Sequence, residues 1–459
     1  MYQSNKYIQL LYRHSPKLVH DFMYSVHGLI KLRQHSMIKR KYLNIIKNVE
    51  SMSLEDIREM QLKKIKHLIN HAYNNVPYYH KLFKKMSLEP EDVKSLEDLK
   101  LIPTLKKIDV IKNYKQLIAK NSKIFSPITM STGGTTGTSL NFLMDKENYT
   151  LREAEILHHW EQNGYDYDKE KTVIFRADVL VPHGRPIKKP WRYDFPRKSY
   201  HFSAYYTSEN IMEEYYMIMK KWRPRYMQAL PSTAYIFAKF MNKKGYCLSL
   251  EKVFTSSEIL YDSYREEIEK AFKCKITDHY GHGEPGTYVA GQCDNGNYHI
   301  PSANVYFEVT DEGSIIETSL NNYSMPFIRY EIGDKIDGIH YNCKCGRNTP
   351  YFKKIYGRVS DIIYTPDGRI ITGIGFDQVF KGTNILSGQI IQSEINSINI
   401  NIIPQESYSK KDENKLIEKL QERLGLEIKI KINIVDKIEL TPGGKSKLVI
   451  SEINSNFGY

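Results

Sequence analysis

The sequence predicts a mixed α/β fold, and changes of residue pattern along the chain support this prediction. Residues 1–120 contain few glycines and have apolar residues near i, i+3, i+4 spacing, which is typical of helices. Between about 126 and 360, apolar strand-like runs such as TVIFRADVL and KVFTSSEIL alternate with helical stretches at 209–222 and 262–272. This alternation favours a sheet covered by helices. A third pattern follows residue 361 and predicts a small α+β unit of about 100 residues.

The clearest helix of the first region begins after Ser53. The acidic residues Glu55 and Asp56 follow Ser53, as is typical of the first turn of a helix. An apolar stripe at helical spacing then runs through Ile57, Met60, Leu62, Ile65, Leu68 and Ile69. The pattern predicts an amphipathic helix with one face in the core.

In the last region, IIYTPDGRIIT predicts a hairpin with PDG at the turn, and ININIIP and IKIKINIV predict strands. KDENKLIEKLQERLG predicts a helix that Gly425 ends. We therefore divide the chain into a large domain with a basic helical part (1–125) and a core (126–360), and a small C-terminal domain (361–459). The small domain is expected to be mobile.

Composition narrows the class of protein. Of the 459 residues, 41% are apolar and 26% are charged, which are ordinary values for a folded protein and argue against wholesale disorder. No run approaches about 18 consecutive apolar residues, so no transmembrane helix is expected. The start of the chain lacks the pattern of a secretory signal. Five cysteines are too few for a disulfide scaffold, which favours a reducing, cytoplasmic location.

The net charge of +13 lies entirely at the front of the chain. Residues 1–130 contain 24 basic and 11 acidic side chains, whereas the remainder contains 42 of each. The basic helical part could lie on an anionic membrane surface, bind a protein partner, or simply be a solvated helical face. A nucleic-acid binder is a further class for a basic chain, but no recognisable reader motif is present.

The segment 131–139 contains only Ser, Thr and Gly. Such a loop can direct backbone N–H groups and hydroxyls at phosphate oxygens, since glycine permits close approach of the backbone. Its spacing is not that of a Walker loop. A flexible surface loop is the alternative interpretation.

A second motif is DHYGHGE at 278–284. A tyrosine beside a glycine, here Tyr280 and Gly281, can present its ring face to a flat ligand. The carboxylate of Glu284 can hold Mg²⁺ together with substrate phosphates. The alternative is a strand end with a buried tyrosine.

Three weaker motifs follow: RYEIGD at 329–334, YGRVSD at 356–361 and TPGGKSK at 441–447. Asp334 could bind ribose hydroxyls, and Arg358 could reach the same sugar or its phosphate. Lys445 stands in a loop with two glycines. Each motif has an ordinary alternative, since Gly-Asp and Gly-Arg are common in turns and most lysines are at the surface.

The order and spacing of these five motifs resemble the adenylate-forming superfamily. Within it the chain is most similar to the phenylacetate–CoA ligase-like branch, especially members encoded in capsular-polysaccharide loci. The resemblance spans most of the chain and includes the segments HAYNNVPYYHKLF, YMQALPSTAYIFAKF and CKCGR.

The resemblance implies a role for each motif residue. The ATP triphosphate would be held by Thr132, Gly134, Thr135, Thr136 and Gly137. The adenine would be bound by Ser257, Glu258, Asp278, Tyr280 and Gly281, and the ribose by Asp334 with Arg358. Glu284 would hold Mg²⁺, Asp361 would be the hinge of the small domain, and Lys445 would bridge the acid and the α-phosphate. Lys445 and Glu284 would thus be the catalytic residues.

The implied activity is an AMP-forming ligase that converts a carboxylic acid to an acyl-adenylate, releases pyrophosphate and transfers the acyl group to CoA. The alternative is transfer to an amine or hydroxyl, for example of a sugar in surface-polysaccharide biosynthesis. The segment TPDGRIITGIGFDQVF lacks the Arg-Gly-rich pattern that aryl-CoA ligases have near the thiol, so adenylation is better supported than CoA. A non-catalytic relative is a further alternative, although it would not need Lys445, Glu284 and Asp334.

Cysteine and histidine spacing suggests a structural zinc site. Cys293-x5-His299 and Cys343-x-Cys345 supply three cysteines and one histidine, a known zinc ligand set. The Cys-x-Cys spacing is tighter than in most zinc fingers, but the resemblance adds that matching residues bind zinc in some relatives. Cys247 and Cys274 are expected to be ordinary buried cysteines.

Overall fold

The computed structural model describes most of the chain. Its described residues are 17–132, 140–176, 189–204, 206, 208–258, 260, 262–284, 290–311, 313–355, 362–367, 369–372, 376–380, 382–405, 407–436, 438 and 448–453.

Helices dominate the first part of the chain, as its sequence predicts. The helices are α1 (Lys17–Ser51), α2 (Leu54–Asn75), α3 (Pro77–Met86), α4 (Lys107–Lys112) and α5 (Tyr114–Leu117), with 3₁₀ turns at Pro90–Asp92, Glu97–Leu101 and Ser122–Phe125. Ser53 caps α2: its hydroxyl accepts from the Asp56 N–H at 3.1 Å, and the Asp56 carboxylate accepts from the Ser53 N–H at 3.3 Å. The expected start of this helix is confirmed.

The middle of the chain alternates strands with helices. The helices are α6 (Lys146–Gln162), α7 (Glu209–Trp222), α8 (Pro231–Lys244) and α9 (Asp262–Phe272). The strands are β1 (Ile128–Thr132), β2 (Leu140–Met144), β3 (Thr172–Arg176), β4 (Trp191–Asp194), β5 (Ser199–Ser203), β6 (Tyr226–Ala229), β7 (Lys252–Ser256), β8 (Lys275–Tyr280), β9 (Ala290–Gln292), β10 (Tyr298–His299), β11 (Val305–Val309), β12 (Ser314–Ser319), β13 (Tyr330–Lys335) and β14 (Tyr351–Phe352).

Nine of the described strands form one sheet, in the order β14-β10-β9-β8-β7-β6-β3-β5-β4. Its centre, β8-β7-β6-β3-β5, is parallel, whereas the strands at both ends pair antiparallel. Buried residues of β3, β6 and β7, such as Val173, Met227 and Val253, pack with residues of α7–α9. This is the helix-covered sheet that the alternating pattern predicts.

A second, three-stranded antiparallel sheet has the order β11-β12-β13. Its buried residues belong to one hydrophobic cluster with α2 and α3, and Gln61 of α2 donates to the carbonyls of Ser302 and Val305. Arg329, just before β13, forms a bidentate ion pair with Glu308 of β11 at 2.9 and 3.0 Å. The basic helical part therefore shares its core with this sheet.

The last part of the chain is a small α+β unit. Its elements are β15 (Ile362–Tyr364), β16 (Ile370–Thr372), α10 (Asp377–Phe380), β17 (Ile385–Glu394), β18 (Ser397–Pro404), α11 (Lys410–Leu424), β19 (Lys429–Ile434) and β20 (Val449–Ser451). β15 and β16 pair antiparallel, and the other strands form a sheet in the order β19-β18-β17-β20. Gly425 ends α11 with φ +95°, a backbone conformation that favours glycine. The hairpin, strands and helix predicted from the sequence are confirmed.

The long helix α1 packs along α6 and β4. Its inner face is buried at His35, Tyr42 and Val49. At Gly28 the helix approaches β4 so closely that a Cβ would lie 2.1 Å from a carboxylate oxygen of the buried Asp194. Among the described residues, no helix has the combination of length and apolar composition that a bilayer span requires.

Candidate functional site

Several of the predicted site residues lie outside the described part of the chain. They are Gly134, Thr135, Thr136, Gly137, Arg358, Asp361 and Lys445. Thr132 ends β1, but its side chain is not described. The triphosphate loop, the hinge and the bridging lysine therefore stay predictions.

Four of the described members lie at the carboxyl ends of two neighbouring parallel strands. Ser257 and Glu258 directly follow β7, and Tyr280 ends β8 with Gly281 after it. The register pairs Ser256 with His279, so these two segments lie side by side. The edge formed by the carboxyl ends of parallel strands is where ligands bind in open α/β sheets.

Asp278 lies below this edge and is only 2% exposed. The Thr255 hydroxyl donates to one carboxylate oxygen at 2.6 Å, and the Tyr298 hydroxyl donates to the other at 2.7 Å. Burial raises the pKa of Asp278 to about 6, although both hydroxyls act against this rise. The structure thus shows two protein donors on a carboxylate for which the resemblance implies contact with the adenine edge.

Tyr280 and Asp334 are brought together although 54 positions separate them. The Tyr280 hydroxyl donates to Asp334 Oδ2 at 2.8 Å. Tyr280 ends β8 of the large sheet and Asp334 lies on β13 of the smaller one, so this bond joins the two sheets. Burial, reinforced by the negative charge of Asp334, raises the pKa of Tyr280 well above its usual range. The residues that the resemblance assigns to adenine and ribose are therefore neighbours.

Glu284 is held by His282, for which the sequence predicts no role. His282 Nδ1 lies 3.2 Å from Glu284 Oε2, and its Nε2 lies 2.8 Å from Glu317 Oε2. Ionised carboxylates only accept hydrogen bonds, so two ionised carboxylates on the ring require both of its nitrogens to donate. Burial by itself lowers the pKa of His282, but Glu317 and Glu284 outweigh it and raise the pKa to about 10.

One sequence signal points to half of this arrangement. His282 stands two residues before Glu284 in the same motif, so a hydrogen bond between them is a local possibility. Glu317 lies in the run SIIETSL, which reads as an ordinary strand. Only the pairing of β12 with β11 and β13 places its carboxylate beside His282.

The cysteine and histidine residues also converge. The ligand atoms of Cys293, His299, Cys343 and Cys345 all lie within 4.8 Å of one another. Cys293 Sγ lies 3.8 Å from Cys343 Sγ, and Cys345 Sγ lies 3.2 Å from His299 Nε2. The predicted cluster thus forms at the β10–β14 end of the large sheet.

The surroundings of this cluster suit a metal ion. The other ring nitrogen of His299, Nδ1, lies 2.9 Å from Thr349 Oγ1, so Nε2 is directed at the cysteines. Burial lowers the pKa of His299 to about 4, which keeps the imidazole neutral as a metal ligand must be. Asn297 Nδ2 donates to Cys343 Sγ at 3.2 Å. These four residues form the group among the described residues whose donors are close enough to share one metal ion.

The two remaining cysteines differ from each other. Burial raises the pKa of Cys274 to about 12, which makes it an inert thiol. Cys247, in contrast, is exposed, so the expectation that it is buried is wrong. It lies in the short connection after α8, where the chain crosses the surface to β7.

Comparison with known proteins finds relatives in the same branch that the sequence motifs resemble. Residues 363–452 match the family of the CapK C-terminal domain. Protein CapK of Staphylococcus aureus is 26% identical to the chain, and the alignment covers 97% of this chain and all of the relative. A phenylacetate-coenzyme A ligase of Thermus thermophilus is 23% identical over 87% of this chain and 95% of its own length.

Among solved structures, a 2-hydroxyisobutyryl-CoA ligase in complex with 2-HIB-AMP and CoA is similar with a TM-score of 0.57. The two proteins are 17% identical, and the match covers 88% of this chain and 92% of that one. The same ligase in its postadenylation state matches with a TM-score of 0.53. At this identity the likeness concerns the fold alone, and it confirms the predicted adenylate-forming fold.

Proposed function

We propose, from the confirmed resemblance of this chain to the phenylacetate–CoA ligase-like branch of the adenylate-forming superfamily, that it is an AMP-forming acid–CoA ligase. A carboxylate oxygen would attack the α-phosphorus of ATP, and the bond to the β-phosphate would break to release pyrophosphate. The CoA thiol would then attack the acyl carbon, and AMP would leave. The observation that carries the proposal is the contact between Tyr280 and Asp334, since it joins two predicted nucleotide-binding motifs.

The described residues would act mainly by binding and orienting. The ring of Tyr280 would lie against the adenine, and Asp334 would hold the ribose hydroxyls, as the resemblance implies. The carboxylate of Glu284 is the ligand type that Mg²⁺ prefers, and its side chain is 12% exposed, within reach of the site edge. Mg²⁺ bound there would offset the negative charge of the phosphates. Little general acid–base work is needed, since the acid already enters as its carboxylate.

The remaining roles follow the resemblance and form part of the proposal. Residues 126–360 would bind ATP and the acid, and residues 361–459 would form a small domain that rotates about Asp361. That rotation would bring Lys445 to the carboxylate and α-phosphate for the first step and remove it for the second. The basic part, residues 1–125, would complete the large domain.

A structural zinc ion is also part of the proposal. Three cysteines and one histidine are the donors of closed, four-coordinate zinc sites, and the convergence of these four residues fits such a site. The ion would tie the turn at 293–299 to the loop at 343–345. It would supply folding energy and would not take part in the reaction.

Two kinds of acceptor fit the second step of this function. CoA is favoured by the similarity of the chain to a phenylacetate-coenzyme A ligase. An amine or hydroxyl acceptor, such as a sugar in surface-polysaccharide synthesis, is favoured by TPDGRIITGIGFDQVF, which lacks the pattern expected near a thiol site. Both acceptors use the same adenylation step.

The test is acid-dependent exchange of labelled pyrophosphate into ATP, screened across aryl, fatty, hydroxy and amino acids. We expect exchange without CoA for at least one acid class, and release of AMP with thioester only when CoA is present. An amide or ester formed without CoA would replace CoA by the alternative acceptor. Lys445→Ala should lower exchange by at least about 100-fold, since it removes the charge opposite the reacting oxygens. The matched control Lys447→Ala lies in the same segment and should keep it.

A surface proposal concerns the outer face of α1, which we assign to an anionic membrane. Val19, Phe22, Val26 and Leu29 follow one another at helical spacing on that face and are exposed, Phe22 by 69% and Leu29 by 61%. The exposed residues Arg33, Arg40 and Lys47 continue the same stripe. Apolar side chains beside basic ones are what an interfacial helix presents to acidic lipids.

Co-sedimentation of the full chain with vesicles of 30% phosphatidylglycerol tests this surface. We expect salt-sensitive binding that Phe22→Asp/Leu29→Asp abolishes, while Leu426→Asp, an exposed leucine far along the chain, leaves it unchanged. Binding that is equal in all variants, or self-association that the double variant removes without any vesicle binding, would overturn the membrane assignment.

A further inference from the structure

His282 lies between two carboxylates in a largely buried part of the candidate site. Its side chain is 8% exposed, that of Glu284 is 12% exposed and that of Glu317 is 3% exposed. No motif role requires a histidine at this position. The position of His282 between the two carboxylates therefore needs its own explanation.

The two contacts of the ring are unequal. The bond to Glu317 is the shorter one, at 2.8 Å against 3.2 Å for the bond to Glu284. Glu317 lies on the central strand of the three-stranded sheet, where its backbone pairs with Phe307 on one side and Tyr330 on the other. Glu317 is thus the rigid end, and Glu284, just beyond β8, is the end that the ring orients.

We propose that His282, anchored by Glu317, is a positioning residue that sets the orientation of the Glu284 carboxylate for the divalent cation of the nucleotide. A carboxylate with one oxygen held by an N–H donor has lost its free rotation about the last side-chain bond. Partners that hold a metal ligand in this way commonly contribute 10–100-fold to metal affinity. The inference rests on the proposed function, because it assumes that Glu284 meets the cation of bound ATP.

A purely electrostatic role makes a different prediction. An imidazolium beside Glu284 repels a divalent cation, so its loss would strengthen metal binding if charge were its only effect. The variants His282→Asn and His282→Leu separate the two effects. Both remove the charge, but the Asn amide nitrogen occupies the position that Nδ1 has on the same side-chain carbon. Asn therefore keeps a donor for Glu284 that Leu lacks.

The experiment measures binding by calorimetry on the full chain. One titrant is the Mg²⁺ complex of an ATP analogue with a methylene bridge between the α- and β-phosphorus atoms, and the other is AMP without magnesium. We expect His282→Leu to weaken binding of the magnesium complex by 10–100-fold. His282→Asn keeps the donor for Glu284 but lacks the anchor to Glu317, so we expect it to bind more tightly than His282→Leu and more weakly than the wild type. AMP affinity should be the same for all three proteins.

The double variant His282→Leu/Glu317→Leu guards against a folding artefact. It removes both buried charges, so it should fold where His282→Leu alone is unstable, and it should still bind the magnesium complex weakly. Equal affinities for Leu and Asn, stronger binding in either, or a parallel loss of AMP binding would overturn the inference. If the wild type itself does not bind the magnesium complex, the proposed function fails. If the wild type binds it and the variants are unchanged, only the inference fails.

Discussion

Two clusters of polar side chains, at two places along the large sheet, differ in what their buried groups face. At its β10–β14 end, Cys293, Cys343 and Cys345 converge with His299, and their donor atoms face one another. Beyond β8, His282 lies between Glu284 and Glu317, and opposite charges face one another. The first cluster gathers four electron-pair donors, whereas the second places a histidine between two carboxylates.

The difference teaches what each cluster needs to be stable. Donors directed at a common point gain little from one another and gain much from a cation that accepts them all. A buried ion pair, in contrast, is complete until one partner is removed, after which the other is left as an uncompensated charge. The first cluster should therefore depend on an outside ion and the second on its own members.

The largest expected effect is on the cysteine cluster. Cys343→Ser should lose bound zinc and lower the free energy of unfolding by about 5 kcal/mol or more, since metal binding and local folding are coupled. The exposed Cys247→Ser is the matched control and should change stability by less than about 0.5 kcal/mol. Elemental analysis of the purified protein and thermal melting measure both quantities. A wild-type protein purified without a stoichiometric metal would break the comparison.

The second effect tests the cluster of opposite charges. His282→Leu alone should destabilise the fold by about 3–5 kcal/mol, because it removes the cation between two carboxylates. Glu317→Leu should cost less, since the pair of His282 and Glu284 remains. The double variant should recover most of the loss in His282→Leu, since it removes one of the two carboxylates and keeps Glu284, the more exposed one. Chemical denaturation of the four proteins gives the cycle. Additive losses in the double variant would show that the ion pair does not stabilise the fold.

The third effect concerns Asp278, a buried carboxylate whose partners are two hydroxyl donors, in contrast to the carboxylates beside His282. Because the pKa of Asp278 is raised from 3.8 to about 6, the folded chain keeps its proton over a range where the unfolded chain has lost it. The associated stability is complete below about pH 4 and is lost as the pH rises through about 6, by up to about 3 kcal/mol.

Asp278→Asn should remove this dependence. Melting of wild type and variant at pH 5 and pH 7.5 measures it, and the difference between the proteins should shift in favour of the variant at the higher pH. A difference that is constant across this range would mean that Asp278 is ionised in the folded chain at both values.

The smallest effect concerns the bond between Tyr280 and Asp334. Tyr280→Phe should cost about 1–2 kcal/mol of stability, since one hydrogen bond to a carboxylate is lost. AMP affinity should stay within about threefold because the ring is kept, whereas Tyr280→Ala should weaken it by about tenfold or more. Calorimetric titration with AMP distinguishes them. An AMP affinity that is unchanged in both variants would assign Tyr280 to the protein core and not to the nucleotide.

Local residue patterns were enough to predict much of the fold. Ser53, Asp56 and the stripe after them predict α2, and the structure places its cap as expected. The helices at 209–222 and 262–272 also match α7 and α9. These elements are encoded within one or two turns of chain, where spacing and capping residues act directly.

The contacts within the candidate site were harder to predict from the sequence, since they link distant segments. Tyr280 and Asp334 are named by their motifs, but their hydrogen bond depends on how two sheets pack. Glu317 gives no signal at all, because a glutamate in a strand such as SIIETSL reads as solvent-facing and yet is buried. The exposure of Cys247 was likewise missed, since it depends on where the connection after α8 runs.

By itself, the sequence determined the mixed α/β class, the order of the predicted nucleotide motifs and the four-residue set Cys293, His299, Cys343 and Cys345. These depend on residue type and spacing, which are properties of the chain alone. Only the tertiary structure decided which charges compensate one another, as with His282 between Glu284 and Glu317. Strand pairing sets the distances between these charges, and the Coulomb energy depends on those distances, which residue order does not give.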